Sequence, residues 1–253
     1  MKEAPEGSAP PIESGPHGAA PAPMISTRDL ARVFGSGETS VTAVGRVTLD
    51  IFPGEFLAVV GRSGSGKTTL LNLMSGLDRP TGGKVFFQGS DLATLSESRL
   101  VELRRRKIGF VFQSFGLMPL LSALENVELP LHISGYSWRE RRRLALKSLD
   151  LVGLGPRARH RPYELSGGEQ QRASIARALV AAPDVVFADE PTGELDSTNA
   201  RAIFGLFIEM VRTQGISVVA ATHDSTLLAM ADEVKEMRDG AFVDRLEPSR
   251  RYR

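Results

Sequence analysis

Nine consecutive residues in the first third of the chain have the types and spacing of a phosphate-binding loop. They are Gly61, Arg62, Ser63, Gly64, Ser65, Gly66, Lys67, Thr68 and Thr69. Phosphate oxygens bind several backbone N–H groups at once, which requires glycines that allow close approach and positive φ at Gly64 and Gly66. We expect the Lys67 ammonium to contact phosphate oxygens and the Thr68 hydroxyl to bind Mg²⁺. The loop predicts a nucleotide site, but loops of this kind serve many reactions.

Two consecutive carboxylates, Asp189 and Glu190, follow the apolar run 185–188. Ligands of parallel sheets bind at the C-terminal ends of the strands, so both acids are predicted to lie at the ligand-binding edge of the sheet. We expect Asp189 to hold magnesium, directly or through water. Glu190 is the predicted general base that polarises an attacking water.

A third segment, 165–172, has the pattern of a helix start and reads LSGGEQQR. Ser166 is predicted to cap a helix that continues over 173–179. The serine hydroxyl and the backbone amides of Gly167 and Gly168 at that helix N-terminus suit an anion such as a γ-phosphate. We assign Glu169 to the same site.

An α/β fold is predicted to position these residues. Apolar runs predict strands at 24–30, 47–51, 56–60, 108–112, 185–188 and 217–221. Helices are predicted at 67–75 and from Ser137, which with Glu140 has the form of a capping box, to about residue 152. A glycine turn before 84–88 predicts a hairpin in an antiparallel flank. The later alternation of helices and strands predicts a parallel sheet.

Composition divides the chain into a tail, a folded domain and a short basic end. Residues 1–23 are rich in proline, glycine and alanine, and they are predicted to be disordered because they offer too little apolar surface to offset the entropy of ordering. The folded domain is predicted at 24–247, with a mainly helical lobe at about 116–165. Residues 248–253 form a basic tail.

The overall composition excludes several classes of protein. The 253 residues carry 31 basic and 30 acidic side chains, so no general field attracts nucleic acid or an anionic membrane. The absence of cysteine excludes disulfides and thiolate zinc sites. No stretch approaches the roughly 18 apolar residues of a membrane span, and the N-terminus lacks the apolar core of a secretory signal.

Together, these segments resemble the ABC ATPase superfamily, and the resemblance covers residues 24–240. Ser166, Gly167 and Gly168 match its signature motif. The resemblance implies four more site residues: Gln113 of the Q-loop, which contacts magnesium and links two lobes; Asp196 of the D-loop; His223, which contacts the γ-phosphate; and Phe34, where many relatives have a tyrosine that stacks on adenine. Phe34 departs from the family pattern, as does the acidic Glu194 in the D-loop.

The resemblance also implies an assembly. ABC ATPases bind ATP and Mg²⁺ and pair as homodimers, in which each signature completes the site of the opposite subunit. Hydrolysis then drives an integral-membrane permease. We therefore expect a peripheral protein at the cytoplasmic face of the plasma membrane. A kinase or GTPase would leave the signature and His223 without a role.

Three runs, at 108–113, 117–119 and 123–127, resemble the branch that contains macrolide-export, lipoprotein-release and cell-division ATPases. This similarity predicts an export or lipoprotein-release complex; mechanical signalling through a membrane partner is the alternative. A soluble ABC ATPase acting on nucleic acid fits less well, because the chain has one cassette and no inserted zinc module. Its basic runs lack interleaved aromatic residues, so no nucleic-acid partner is expected.

The segment 115–121 that follows the predicted Q-loop glutamine reads FGLMPLL and is unusually apolar for a connection leaving an active site. Methionine and leucine suit a groove that accepts a short permease helix. Filling the core of the helical lobe is the competing interpretation, above all for Leu120 and Leu121.

Overall fold

The computed structural model describes residues 22–224 and 228–243. Nearly all of the predicted N-terminal tail and the whole of the predicted C-terminal tail lie outside the described residues. Within the described part, the chain folds as an α/β protein with two sheets and helices packed against them. This confirms the predicted fold class.

The strands of the described residues form two sheets with different topologies. They are β1 (Ile25–Phe34), β2 (Val41–Ile51), β3 (Phe56–Val60), β4 (Gly82–Phe87), β5 (Ser90–Asp91), β6 (Ile108–Val111), β7 (Val185–Asp189), β8 (Ser217–Thr222), β9 (Glu233–Arg238) and β10 (Ala241–Val243). One sheet has the order β2-β1-β4-β5 and is antiparallel throughout. The other has the order β10-β9-β3-β8-β7-β6, and only β10 runs antiparallel to its neighbour.

The helices surround the second sheet. They are α1 (Lys67–Met74), α2 (Glu97–Lys107), α3 (Ala123–Ile133), α4 (Trp138–Leu151), α5 (Gly167–Leu179) and α6 (Ser197–Gln214). Serine caps open several of them: Ser122 forms a reciprocal capping box with Glu125 at α3, and Ser137 accepts the Glu140 N–H at α4. No helix in the described part of the chain is long and apolar enough to cross a membrane.

The second sheet is buried on both faces, which explains its continuous apolar runs. Successive residues of β3 enter opposite cores: Phe56 and Ala58 pack with α3, α5 and α6, whereas Leu57 and Val59 pack with α1 and the antiparallel sheet. The helical lobe contributes Leu131 and Leu149, both fully buried, to the first core. The site at the end of β3 is therefore held between two rigid layers.

Several predicted boundaries were wrong. β1 continues to Phe34 and β2 begins at Val41, because these strand ends pair with each other over largely exposed surface and carry little apolar alternation. β6 ends at Val111 rather than residue 112, and β4 already begins at Gly82, inside the predicted turn. The strands at 233–238 and 241–243 were not predicted, since the first has only one fully buried residue and the second has none.

Candidate active site

The phosphate loop leaves β3 and enters α1, as the sequence predicts. Gly64 and Gly66 have φ of +79° and +103°, the region that favours glycine. A Cβ on Gly66 would lie 2.0 Å from the carbonyl oxygen of Ala43 on the antiparallel sheet. Only glycine fits this approach, so the loop is fixed between the two sheets before any ligand binds.

The Lys67 side chain lies under this loop and is only 7% exposed. Its ammonium donates to the carbonyl oxygens of Gly61 at 2.8 Å and Arg62 at 3.2 Å, and it lies 3.5 Å from Glu190 Oε1. A cation held mainly by neutral carbonyls keeps most of its charge available to an incoming anion.

Thr68 and Asp189 form a pair beside the loop. The Thr68 hydroxyl donates to Asp189 Oδ2 at 2.8 Å, while Asp189 Oδ1 is buried without a hydrogen-bond partner. Burial raises the pKa of Asp189, and the neighbouring Glu190 charge adds to the rise. Residues 22–224 and 228–243 contain no group of three or more acidic or histidine side chains that could hold a metal alone. The hydroxyl and carboxylate fit a Mg²⁺ ion that takes its other ligands from phosphate and water.

Glu190 has a strained backbone, with φ of +45° in a residue that is not glycine. Its N–H donates to the Ala221 carbonyl at 2.9 Å, and its Oε2 lies 2.8 Å from His223 Nδ1. β7 and β8 are parallel neighbours with Asp189 opposite Ala221, so their ends deliver the acids and the histidine to the same edge.

These side chains line one cleft of about 620 Å³. The predicted residues it brings together are Gly61, Arg62, Ser63, Gly64, Gly66, Lys67, Thr68, Thr69, Gln113, Asp189, Glu190 and His223. Ala43 and Gly193 also line it and were not predicted. Gly193 follows the two acids after a short turn, and a Cβ there would lie 3.3 Å from Gln113 Nε2. That closeness is a tertiary feature without a signal in the sequence.

The remaining predicted residues do not line this cleft: Phe34, Ser65, Ser166, Gly167, Gly168, Glu169 and Asp196. Ser166 caps α5 in a reciprocal capping box, and its backbone N–H lowers the pKa of Glu169. Asp196 caps α6 by accepting the N–H groups of Thr198 and Asn199, and the Asn199 N–H is the main cause of its lowered pKa. The signature is therefore preformed, but one chain does not place it at its own phosphate loop.

Phe34 lies at the end of β1 with 43% of its surface exposed. The guanidinium of Arg32 lies 4.5 Å from the centre of its ring. The ring is thus partly covered by a cation, and base stacking on it stays a prediction.

Comparison with known proteins gives a consistent result. Residues 44–193 match the family described as ABC transporter. The macrolide export ATP-binding/permease protein MacB of Wolinella succinogenes is 45% identical over 226 residues, which are 89% of this chain and 35% of that protein. An uncharacterized ABC transporter ATP-binding protein of Thermotoga maritima is 46% identical over 215 residues, 84% of this chain and 90% of that protein. The chain thus spans about a third of the length of the macrolide-export relatives that it matches.

Among solved structures, the dimeric post-hydrolysis state of the ATP-binding cassette MJ0796 bound to ADP and Pi superimposes with a TM-score of 0.81 at 40% identity. The match covers 89% of this chain and 100% of that one. The family match, the Thermotoga maritima relative and the shared cassette fold all indicate the same family as the phosphate-loop cleft and the motif at Ser166–Gly168. The chain belongs to the ABC transporter family, as an ATPase cassette.

Proposed function

We propose that this cassette binds ATP with Mg²⁺, dimerises with a second copy of itself on ATP, and hydrolyses the nucleotide to drive a membrane permease of the export or lipoprotein-release type. One observation carries the proposal. The cleft holds a phosphate loop, a metal-binding pair and a base, whereas the signature Ser166–Gly168 lies outside it. A site that the signature completes would therefore need a second chain.

Nucleotide binding would rest on the loop and on Lys67. The glycines permit the close backbone approach, and the N-terminus of α1 adds the positive end of its dipole. Lys67 would exchange a loop carbonyl for the β- and γ-phosphate oxygens. The hydroxyl of Thr68 and the unpartnered Oδ1 of Asp189 would hold the magnesium, with Gln113 at the same cleft. Bound magnesium supplies neutralisation of phosphate charge.

Hydrolysis would depend on Glu190. Its carboxylate accepts a proton from water as the water oxygen bonds to the γ-phosphorus, and the bond from that phosphorus to the β-bridging oxygen breaks to give ADP and phosphate. His223 contacts the same carboxylate through Nδ1 and would orient it toward the γ-phosphate. The positive φ of Glu190 supports this role, because strained residues cluster at active sites.

The dimer would place the signature of each copy over the phosphate loop of the other. Two copies facing head to tail then form two equivalent sites about a two-fold axis. The Ser166 hydroxyl and the amides of Gly167 and Gly168 stand at the start of a 13-residue helix, which suits contact with the γ-phosphate. Asp196 would act beside that contact at the dimer interface. Phe34 would stack on the adenine base. A similar cassette, MJ0796, has been solved as a dimer bound to ADP and Pi, which supports the pairing of two copies.

The permease partner is supported by the macrolide-export relatives, whose name includes a permease, and by an exposed apolar segment after Gln113. Met118 is 50% exposed and Leu120 is 81% exposed. Leu120 therefore does not fill the core of the helical lobe, whereas Leu117 is partly buried against it. A surface of this kind suits an apolar permease helix and a position at the cytoplasmic face of the membrane.

Mixing two inactive variants tests the proposed sharing of sites. Lys67→Ala disables the phosphate loop, and Gly167→Asp puts a negative charge where the γ-phosphate would lie. Asp is favoured in the first turn of a helix, and a Cβ at Gly167 meets nothing closer than 3.6 Å, so α5 should remain intact. If the signature acts across the dimer, the mixture forms one complete site per heterodimer and regains ATPase activity that neither variant has. A mixture as inactive as its components would contradict the shared site.

A further inference from the structure

Arg177 lies in the last turn of α5, ten residues beyond the signature glycine Gly167. Its charged side chain bonds backbone carbonyls rather than a carboxylate. The guanidinium donates to two backbone carbonyls, those of Phe115, at 3.0 Å, and Gly116. Burial lowers its pKa, and among the described residues no carboxylate is paired with it. A partly buried cation that meets no carboxylate loses part of its hydration, and the two carbonyl contacts replace part of that loss.

Those two carbonyls belong to a strained turn. Phe115 and Gly116 both have left-handed backbones, with φ of +59° and +60°. The turn is tight, because the Phe115 N–H donates to Phe112 O at 3.2 Å and the Gly116 N–H donates to Ser114 O at 2.6 Å. A non-glycine residue in this region costs free energy and persists only where its surroundings hold it. Arg177 supplies that hold from a different element.

The turn lies between the cleft and the signature. At one end, Gln113 lines the cleft beside Gly193. At the other, the ring of Phe115 lies over the first signature glycine, since a Cβ on Gly167 would be 3.8 Å from Phe115 Cζ. A change at Gln113 would therefore reach the signature of the same subunit through only two residues, provided that the turn stays rigid.

We propose that Arg177 is a positioning residue: by clamping the Phe115–Gly116 turn it fixes the Phe115 ring against Gly167 and couples the nucleotide cleft of a subunit to its own signature. This inference rests on the proposed ATP-dependent dimerisation. ATP bound at one site would, through Gln113 and this turn, set the signature that the subunit offers to its partner. Loss of the clamp would leave ATP binding to the monomer intact and weaken the step in which the signature is used.

The test uses the Glu190→Gln background, in which dimers should accumulate on ATP. Arg177→Met keeps the length of the side chain but removes its charge and donors. We expect the ATP concentration for half-maximal dimerisation to rise roughly 2- to 30-fold, the usual range for residues that modulate coupling. The Kd of the monomer for ATP should stay within about twofold. Arg177→Lys, which offers one donor group to the same carbonyls, should restore part of the loss. Arg212→Met, in the last turn of α6, is the matched control.

Phe115→Ala keeps both carbonyls for Arg177 but removes the ring from Gly167, so it should also raise the ATP concentration needed for dimerisation. If Arg177→Met does not fold, Phe115→Ala provides the test of the coupling. Unchanged dimerisation in a folded Arg177→Met or in Phe115→Ala would overturn the inference. If Glu190→Gln alone does not dimerise on ATP, the proposed function fails first. If the Kd of the monomer for ATP rose by the same factor as the ATP concentration for half-maximal dimerisation, Arg177 would have only a structural role.

Discussion

His223 Nδ1 lies 2.8 Å from Glu190 Oε2, while Lys67 Nζ lies 3.5 Å from the other oxygen of the same carboxylate. The carboxylate is thus held at both ends, by an imidazole and a cation from separate elements. This arrangement fixes its orientation before substrate arrives, which is what a general base requires.

Replacing Glu190 with Gln should keep the shape of this group and remove its basicity. We expect kcat to fall about 100- to 10,000-fold, the usual contribution of a general base. An ATP-bound dimer should accumulate, measured by size-exclusion chromatography with ATP and Mg²⁺. Glu102→Gln, an equal charge change on the exposed face of α2, should leave kcat unchanged. Normal hydrolysis in Glu190→Gln would make His223 the next candidate for the base.

Lys67→Ala should remove the cation that awaits the phosphates. Hydrogen bonds to charged groups contribute about 1.5 to 3 kcal/mol, so we expect the Kd for ATP to rise about 10- to 150-fold. Equilibrium binding of a fluorescent ATP analogue measures this directly. Lys84→Ala, which removes an exposed lysine paired with Asp91, is the control. Unchanged affinity in Lys67→Ala would contradict the proposed phosphate site.

Asp189→Asn should stabilise the nucleotide-free protein and disable the magnesium-dependent one. Burial raises the pKa of Asp189 above its ordinary value of 3.8, so ionising this carboxyl costs the folded state free energy. Asn keeps an acceptor for the Thr68 hydroxyl without the charge. Because solvent partly screens the site, we expect Tm at neutral pH to rise by only about 2 °C.

The pH dependence gives this prediction its sign. A raised pKa in the folded state means that the protonated carboxyl favours folding, and this contribution is lost as pH rises through that pKa. The amount by which the Tm of Asp189→Asn exceeds that of the wild type should therefore increase as pH rises from below 3.8 to neutral. Scanning calorimetry with a chelator present checks it. A Tm difference that decreases over the same pH range would contradict the effect of burial on the pKa of Asp189.

The parts of the fold that the sequence predicts well are those decided by local pattern. β3 was predicted at its true bounds, because Phe56–Val60 is apolar throughout and is bounded by turn residues. The helix at Ser166 was predicted from its cap, and its reciprocal bonds with Glu169 are present. The position of Asp189 at the end of an apolar strand was predicted from the local pattern, whereas His223 was assigned from the family resemblance; both stand at the same edge of the parallel pair β7 and β8.

What the sequence did not predict depends on contacts between distant segments. Nothing local marks Arg177 as the holder of a turn 61 residues earlier, or Glu190 as a left-handed residue. Asn126 stands within an apolar helix and reads as an ordinary polar position. The structure shows that it is fully buried and bonded to the segment that follows the cleft. Such polar groups are specified by tertiary partners, which periodicity does not encode.

Asn126 predicts a stability effect. Its side chain accepts the Met118 N–H at 2.7 Å and donates to the carbonyls of Met118, Leu121 and Ser122. Asn126→Leu would leave these buried groups unpaired, and we expect a loss of about 2 to 3 kcal/mol in the free energy of unfolding, measured in urea. Asn126→Asp keeps the acceptor but faces three carbonyl oxygens with a charge, so it should lose at least as much. Full stability in both variants would show that the segment is held elsewhere.

The exposed apolar segment beyond the Asn126 contact predicts where the permease docks. Met118 and Leu120 project from a backbone that Asn126 fixes, so they offer an ordered apolar surface rather than a loose loop. Met118→Asp or Leu120→Asp should place a charge in a contact that must lose water, and we expect co-purification with the membrane partner to fall about tenfold or more. ATP binding and Tm should stay near the wild type, because neither side chain is buried.

Leu77→Asp, at a leucine of 48% exposure beyond the end of α1, supplies the matched control and should leave docking intact. Comparing the two sets separates docking from general solubility, since each variant adds one exposed charge. Normal co-purification of both Met118→Asp and Leu120→Asp would move the docking surface away from this segment. Leu77→Asp does not change the surface that begins at Gln113. If it reduced co-purification as much as Met118→Asp and Leu120→Asp do, the loss would therefore come from added charge on the cassette and not from this segment.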